Sequence, residues 1–244
     1  MTDGLLLLHA WPLDARMWTP QLDALAGRAA VLAPSHPGFG GTPPAGPVMT
    51  MEACALSALA ALDDVGIDRA VVCGLSIGGY VTFELWRSAP DRFLGMVLAN
   101  TRAQADAPEG RQGRYATAGR LRAEGNFLID QPPKLLAPDA PQELAGHVRG
   151  LIADQPAEAI AAALAGMAER PDSTPDLASI DVPTLVITST ADQLIPPEVS
   201  AGMASQIPGS RLETIQGVGH LTNLEAPEAF NHLLLEHLSV CGLG

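Results

Sequence analysis

A serine lies at the centre of the glycine-rich segment Gly74-Leu75-Ser76-Ile77-Gly78-Gly79. The apolar run Ala70 to Cys73 precedes this segment, and the helical run Tyr80 to Trp86 follows it. A serine in such a strand-to-helix turn can project its hydroxyl as a nucleophile, and the flanking glycines let the strand and helix pack closely. The sequence therefore predicts that Ser76 is a nucleophile. The alternative is a glycine-rich turn with an idle serine.

An aspartate and a histidine follow two later apolar runs. Asp192 follows Pro183 to Ser189, and His220 follows Arg211 to Ile215 in a glycine-flanked loop. Imidazole can take a serine proton near neutral pH, and a carboxylate can orient the imidazole by accepting its other N–H. These residues predict a Ser–His–Asp relay. A turn-forming Asp192 and a loop histidine bonded to backbone remain alternatives.

Two backbone N–H groups are expected to bind the developing oxyanion. One belongs to Ile77, which follows the nucleophile, and the other to Trp11, in the segment after the first apolar run. Pro12 has no N–H and cannot replace Trp11. The Trp11 side chain could equally be an ordinary core aromatic, since the predicted donor is main chain. Asn100, after the fourth run, is a weak rival to Asp192 and more typical of a loop-anchoring amide.

These candidates need a scaffold, and the alternation of apolar runs with helical patterns supplies one. Runs that are apolar almost throughout are typical of strands covered on both faces, and strand–helix alternation predicts a parallel sheet. The predicted strands are Leu5 to His9, Ala29 to Ala33, Ala70 to Cys73, Phe93 to Ala99, Pro183 to Ser189 and Arg211 to Ile215. The predicted helices of the core are Met51 to Val65, Gly78 to Ser88, Glu198 to Gln206 and Ala226 to Leu238.

The alternation stops after the fourth strand. Residues 1–101 and 181–244 are predicted to form the α/β core, and residues 102–180 a helical insertion with helices at Gln142 to Ala153 and Ala157 to Glu169. Such insertions commonly act as lids over a site. A structural excursion without function is the alternative.

Apolar side chains of the loops and the insertion are candidates for the substrate pocket, although each could be plain packing. They are Phe39, Phe127, Leu128, Ile129, Leu135, Leu136 and Met167, together with Trp11. Arg102, Arg111 and Arg114 are the cations that could bind a carboxylated substrate.

The composition excludes several classes of function. The chain of 244 residues has a net charge of −13, which disfavours nucleic acid and anionic lipid as partners. Cys54, Cys73 and Cys241 have no metal-ligand spacing and suggest a reducing compartment. The sequence shows neither a signal peptide nor a membrane span, so we expect a cytoplasmic protein, as a monomer or a homodimer.

Taken together, these motifs resemble those of the α/β-hydrolase superfamily, including the chain order Ser76, Asp192, His220. The elbow and the segment Val97 to Thr101 are most similar to the 3-oxoadipate enol-lactonase group of small esterases. Three departures stand out: Ala10 replaces the usual glycine, Ser35 replaces an aspartate, and the chain begins at the family's third strand. The resemblance therefore implies about six core strands, with the leading hairpin missing.

The resemblance implies a serine hydrolase that cleaves carboxylic esters or lactones through an acyl-enzyme, with no metal or organic cofactor. A thioesterase or a cofactor-free perhydrolase would use the same residues. A ligand receptor that retains the hydrolase pocket is the alternative outside the enzymes. Ser76 in place of an elbow aspartate argues against the alkyl-enzyme chemistry of related dehalogenases.

Overall fold

The centre of the protein is a parallel sheet of six strands in the order β2-β1-β3-β4-β5-β6. The computed structural model describes residues 2–243, so the ends of the predicted core, residues 1 and 244, lie outside the described residues. The strands are β1 Asp3–Leu8, β2 Ala30–Leu32, β3 Arg69–Leu75, β4 Phe93–Ala99, β5 Thr184–Ser189 and β6 Arg211–Ile215. The predicted fold class, an α/β-hydrolase fold with about six mostly parallel strands, is confirmed.

Helices occupy the connections between the strands and the segment that follows β6. They are α1 Thr19–Leu25, α2 Met51–Asp64, α3 Ile77–Ser88, α4 Pro108–Glu124, α5 Gln142–Ala153, α6 Ala157–Glu169, α7 Pro197–Ala204, α8 Thr222–Glu225 and α9 Pro227–Val240. Within residues 2–243, no helix is both long enough and apolar enough to cross a membrane.

Burial divides the strands into a core and two edges. β1, β3, β4 and β5 are buried almost throughout, whereas β2 and β6 are partly exposed. The expectation that every strand is apolar and covered on both faces is therefore wrong for β6, whose Arg211, Leu212 and Thr214 are exposed. The strand order gives the reason, because β2 and β6 each have a neighbour on one side only.

The segment between β4 and β5 is helical, as predicted, and α5 and α6 have the predicted bounds. It also contains α4, which the sequence patterns did not indicate. α4 carries four arginines and buries only Ala118 and Leu121, so its apolar stripe is too thin to read from the sequence. α4 packs along α6, whose residues 159–168 are all buried. The division into a core and an insertion at 102–180 stays a prediction.

The turn between β3 and α3 requires close backbone approaches. A Cβ atom on Gly78 would lie 2.1 Å from the carbonyl oxygen of Leu8, and one on Gly74 would lie 2.3 Å from that of Gly78. Both distances are far below van der Waals contact, and the obstructing atoms are backbone. Glycine at these two positions is what brings the first turn of α3 against the end of β1.

We expect Gly78→Ala to lower the free energy of unfolding by about 1–3 kcal/mol or more, because the new methyl group forces the end of β1 and α3 apart. Urea unfolding followed by circular dichroism measures the change. Gly119→Ala is the matched control, since Gly119 lies within α4 with open space around its Cα. Its free energy of unfolding should rise by about 0.5–1 kcal/mol. Equal effects of the two substitutions would contradict the close-approach argument.

Candidate active site

Ser76 occupies the turn between β3 and α3 in a backbone conformation that side chains rarely adopt, with φ 58° and ψ −116°. The turn is held by its neighbours: the Ser76 N–H donates to the carbonyl oxygen of Ala99 at 3.0 Å, and the Thr101 hydroxyl donates to that of Ser76 at 2.8 Å. Such positive-φ strain persists only where the surrounding structure enforces it. The turn places Ser76 directly before α3, where the helix dipole favours negative charge.

His220 and Asp192 form a buried pair at the same edge of the sheet. His220 Nδ1 lies 2.8 Å from Asp192 Oδ2, and both side chains are at most 1% exposed. The other carboxylate oxygen, Oδ1, accepts the backbone N–H groups of Leu194 at 2.8 Å and Ile195 at 3.0 Å. Because an ionised carboxylate only accepts, Nδ1 of His220 carries its proton and Nε2 is left as the basic nitrogen.

Opposing effects act on the pKa of Asp192. Burial raises this pKa, but the hydrogen bond and charge of His220, the N–H of Ile195 and the amide of Asn100 together lower it below the ordinary aspartate value. Asp192 therefore stays ionised at neutral pH, as a group that stabilises imidazolium must.

Asn100 contacts Asp192 directly, a role that the sequence did not reveal. Its Nδ2 donates to Asp192 Oδ2 at 2.9 Å and to the Ser189 hydroxyl oxygen at 2.8 Å, and its Oδ1 accepts from the Thr222 hydroxyl at 2.8 Å. Asn100 is fully buried at φ 44°. The amide of Asn100, expected to anchor a loop, thus also positions the carboxylate of Asp192. Asn100 follows β4 and Asp192 follows the neighbouring strand β5, and this placement is the signal that could have suggested the contact.

A second carboxylate, that of Glu225, holds the loop that carries His220. Glu225 accepts the backbone N–H groups of Gly219 and Ala137, both at 2.9 Å, and the Leu221 N–H donates to the carbonyl oxygen of Leu135 at 3.0 Å. Burial raises the pKa of Glu225 despite these two hydrogen bonds. The loop that carries His220 is therefore tied to the segment that follows α4.

The predicted oxyanion donors lie at two adjoining elements. Ile77 is the first residue of α3, where backbone N–H groups have no acceptor within the helix. Trp11 follows β1 and is partly buried; its indole Nε1–H donates to the carbonyl oxygen of Ile160 in α6 at 3.2 Å. Ala10, the departure from the usual glycine, is fully buried, and its N–H contacts the Met17 sulfur at 3.1 Å.

Two histidines whose rings are in contact anchor the segment that follows β1. His9 and His36 have ring centroids 4.1 Å apart; the His36 N–H donates to His9 Nε2 at 2.8 Å, and His9 Nδ1 in turn lies 3.0 Å from the carbonyl oxygen of Ala10. Burial lowers the pKa of His9 to about 4 and that of His36 well below its ordinary value. Both rings are neutral at physiological pH, so they hold the segment through hydrogen bonds and carry no charge.

Ser76 and His220 line one cavity of about 160 Å³. The remaining lining residues are Trp11, Tyr80, Arg102, Arg114, Pro133, Met167, Leu194 and Ile195. A cavity of about this size holds a molecule such as benzene, so the reacting group that fits here is small.

The structure brings two of the eight predicted apolar pocket residues, Trp11 and Met167, to this cavity. Phe39 is buried, and the centre of its ring lies 5.6 Å from the centre of the His9 ring. The guanidinium carbon of Arg120 lies 3.8 Å from the centre of the Phe127 ring. Leu128 and Leu135 belong to the buried core, Leu136 packs against it, and Ile129 is partly buried. Tyr80, Pro133, Leu194 and Ile195 line the cavity without having been predicted, because helix packing and turn direction decide which side chains face it.

Comparisons with known proteins agree with this architecture. The sequence model described as "Alpha/beta hydrolase family" matches residues 5–233. A malate-bound structure of a thermophilic esterase from Thermogutta terrifontis is 38% identical with a TM-score of 0.92, covering 99% of this chain and 92% of its own.

Two further relatives are informative. The enol-lactonase from Burkholderia xenovorans LB400 is 28% identical with a TM-score of 0.87, covering 98% of this chain and 92% of its own. The pimeloyl-[acyl-carrier protein] methyl ester esterase of Aromatoleum aromaticum is 31% identical over 92% of this chain and 93% of that protein.

We expect Asp192→Asn to lower the free energy of unfolding by about 1–3 kcal/mol at pH 6, since buried donors lose a charged acceptor. The pKa of Asp192 is lower in the folded state, so its stabilising contribution is complete above the ordinary value of 3.8 and is lost as the pH falls below it. The difference between the variant and the original protein should therefore shrink at pH 3. Urea unfolding at both pH values measures it.

Asp64→Asn provides the control, because Asp64 is an exposed residue at the end of α2. This substitution should change the free energy of unfolding by less than about 0.5 kcal/mol at either pH. A difference for Asp192→Asn that grows on acidification would have the wrong sign for an ionised, hydrogen-bonded carboxylate.

Proposed function

Because the chain belongs to the α/β hydrolase family, we propose that it is a serine hydrolase that cleaves carboxylic esters or lactones through an acyl-enzyme on Ser76. The prediction of a carboxylic ester hydrolase as the enzyme class is confirmed by the family and by the esterase and enol-lactonase relatives. The observation that carries the finer proposal is the 2.8 Å bond between His220 and Asp192, placed on the cavity that Ser76 also lines.

In the first half of the reaction, the Ser76 oxygen attacks the carbonyl carbon of the ester or lactone while His220 Nε2 takes the hydroxyl proton. Asp192 stabilises the imidazolium that forms, and the N–H groups of Ile77 and Trp11 hold the negative oxygen of the tetrahedral intermediate. The bond to the leaving oxygen then breaks, and that oxygen receives the proton from His220. A lactone opens in this step and stays attached to Ser76.

In the second half, a water molecule gives a proton to His220 and attacks the acyl-enzyme. The tetrahedral intermediate collapses, Ser76 regains its proton from the imidazolium, and the carboxylic acid departs. Both halves use only groups of this chain and one water molecule, so the proposal requires no metal and no organic cofactor. The substrate is a small molecule, in keeping with a cavity of about 160 Å³.

We also propose that the segment 102–180 acts as a lid. Support comes from Arg102, Arg114, Pro133 and Met167, which belong to this segment and line the cavity with Ser76. A roof of this kind excludes water and strengthens the electrostatic interactions inside the site.

Ser76→Ala should lower the rate of p-nitrophenyl acetate hydrolysis by about 10⁴–10⁶-fold, because the nucleophilic oxygen is removed while the turn conformation is not required to change. Product absorbance measures the rate, and circular dichroism checks the fold. A fluorophosphonate probe should label the original protein at Ser76 and leave the variant unlabelled.

Ser205→Ala is the matched control, since Ser205 is exposed at the end of α7. It should keep both the hydrolysis rate and the labelling of the original protein. Turnover retained by Ser76→Ala, or a label found at another residue, would remove Ser76 from the proposed role.

A further inference from the structure

Three arginines of the segment between β4 and β5 share one buried carboxylate. Asp106, whose side chain is 2% exposed, is hydrogen-bonded by Arg102, by Arg114 and by Arg170, the last at 2.9 Å. Burial raises the pKa of Asp106, but the hydrogen bonds from Arg170 and Arg114 outweigh this effect and hold it well below its ordinary value. Asp106 is therefore ionised, and the cluster keeps an excess of two positive charges.

Within residues 2–243, Asp106 is the only carboxylate that forms ion pairs with these three arginines, although the charge of Asp172 also acts on Arg170. Arg170, 2% exposed, donates through Nη1 to the carbonyl oxygen of Met167 and through Nη2 to that of Gln104, and its guanidinium lies 4.1 Å above the Tyr80 ring. Among the described residues, Arg114 Nη1 has one hydrogen-bond partner, the sulfur of Met167 at 3.3 Å. Within residues 2–243, the buried Nε atoms of Arg102 and Arg170 have no hydrogen-bond partner. A desolvated guanidinium donor left unpaired costs free energy unless an acceptor is supplied.

Two of the three arginines, Arg102 and Arg114, face the candidate active site. Arg102 and Arg114 are 29% and 21% exposed, and both line the cavity that contains Ser76 and His220. The chain as a whole carries a net charge of −13, so this positive patch runs against the general charge of the protein. Fixed cations at the wall of a small cavity attract and orient an anion far better than exposed surface charges do.

We propose that Arg102 and Arg114 bind an ionised carboxylate of the substrate, so that the enzyme prefers short esters or lactones that carry a carboxylate. This inference rests on the proposed hydrolysis at Ser76. Guanidinium groups match carboxylates in geometry and charge, and Asp106 holds both side chains in place before the substrate arrives. The carboxylate belongs to either the acyl part or the alcohol part of the ester, and the two cases are separable by experiment.

The test uses two pairs of substrates of equal shape, followed by acid release at constant pH. Monomethyl glutarate carries the carboxylate on the acyl part and methyl 5-oxohexanoate is its neutral counterpart. Acetoxyacetate carries it on the alcohol part and acetoxyacetone is the neutral counterpart. We expect kcat/KM to favour the anion about tenfold or more in one of the pairs, mainly through KM. Equal or lower kcat/KM for the anion in both pairs would overturn the proposal.

Substitutions of single arginines test whether Arg102 and Arg114 cause the preference for the anionic substrate. Arg114→Met and Arg102→Met should each lower the anion-to-neutral ratio of kcat/KM about tenfold, while Arg111→Met should leave it at the original value. Arg111 also lies on α4, is exposed and does not line the cavity, so its substitution removes the same charge at the surface. A ratio that falls equally in all three variants reflects net charge and contradicts a binding site. If Arg114→Met does not fold, Arg102→Met alone makes the comparison.

A binding measurement separates failure of this inference from failure of the proposed function. Calorimetry on Ser76→Ala should detect glutarate but not glutaramide, and Arg102→Met in that background should weaken glutarate binding about tenfold or more. Binding without hydrolysis of any of the four esters would support the anion site and refute ester cleavage. Hydrolysis of the neutral esters without glutarate binding would retain the proposed function and overturn the anion site.

Discussion

The candidate site depends on one buried carboxylate that collects hydrogen bonds from three parts of the chain. Asp192 receives donors from His220, from Asn100 and from the backbone of its own turn. A carboxylate without water is tolerated only when its oxygens are satisfied in this way. The loops after β4, β5 and the last strand are therefore drawn to one point, and the imidazole is presented in a single tautomer.

Much of the fold could be predicted because each central strand can be recognised from its own residues. β1, β3, β4 and β5 are short and mostly apolar because they are buried on both faces, and their few polar residues, such as Asp3, Arg69 and Thr184, lie at or near the strand ends. α4 could not be predicted, since a helix with a narrow buried stripe and four arginines looks like a polar loop. The apolar pattern of β6 is weaker than that of the central strands, because an edge strand has a neighbour on one side only and is partly exposed.

The candidate site likewise has a part that the sequence patterns predict and a part that they do not. Ser76, Asp192 and His220 were placed by local rules: each follows a strand at its carboxyl end, and parallel strands bring those ends together. The cavity wall was not predictable, because it depends on how α4 and α6 pack over the sheet. Met167 faces the cavity, whereas Phe39 packs on His9. The sequence offers Arg102 and Arg114 as possible carboxylate-binding cations, but it gives no sign that they share Asp106 with Arg170, which lies far along the chain.

The hydrogen bond from the Trp11 indole to the Ile160 carbonyl oxygen joins α6, whose Met167 lines the cavity, to the segment that follows β1. Under the proposed lid role, a movement of α6 away from the sheet would break this bond and free the Trp11 side chain. In the proposed mechanism the backbone N–H of Trp11 binds the oxyanion, so entry of a ligand and assembly of the oxyanion-binding groups would be coupled through one hydrogen bond.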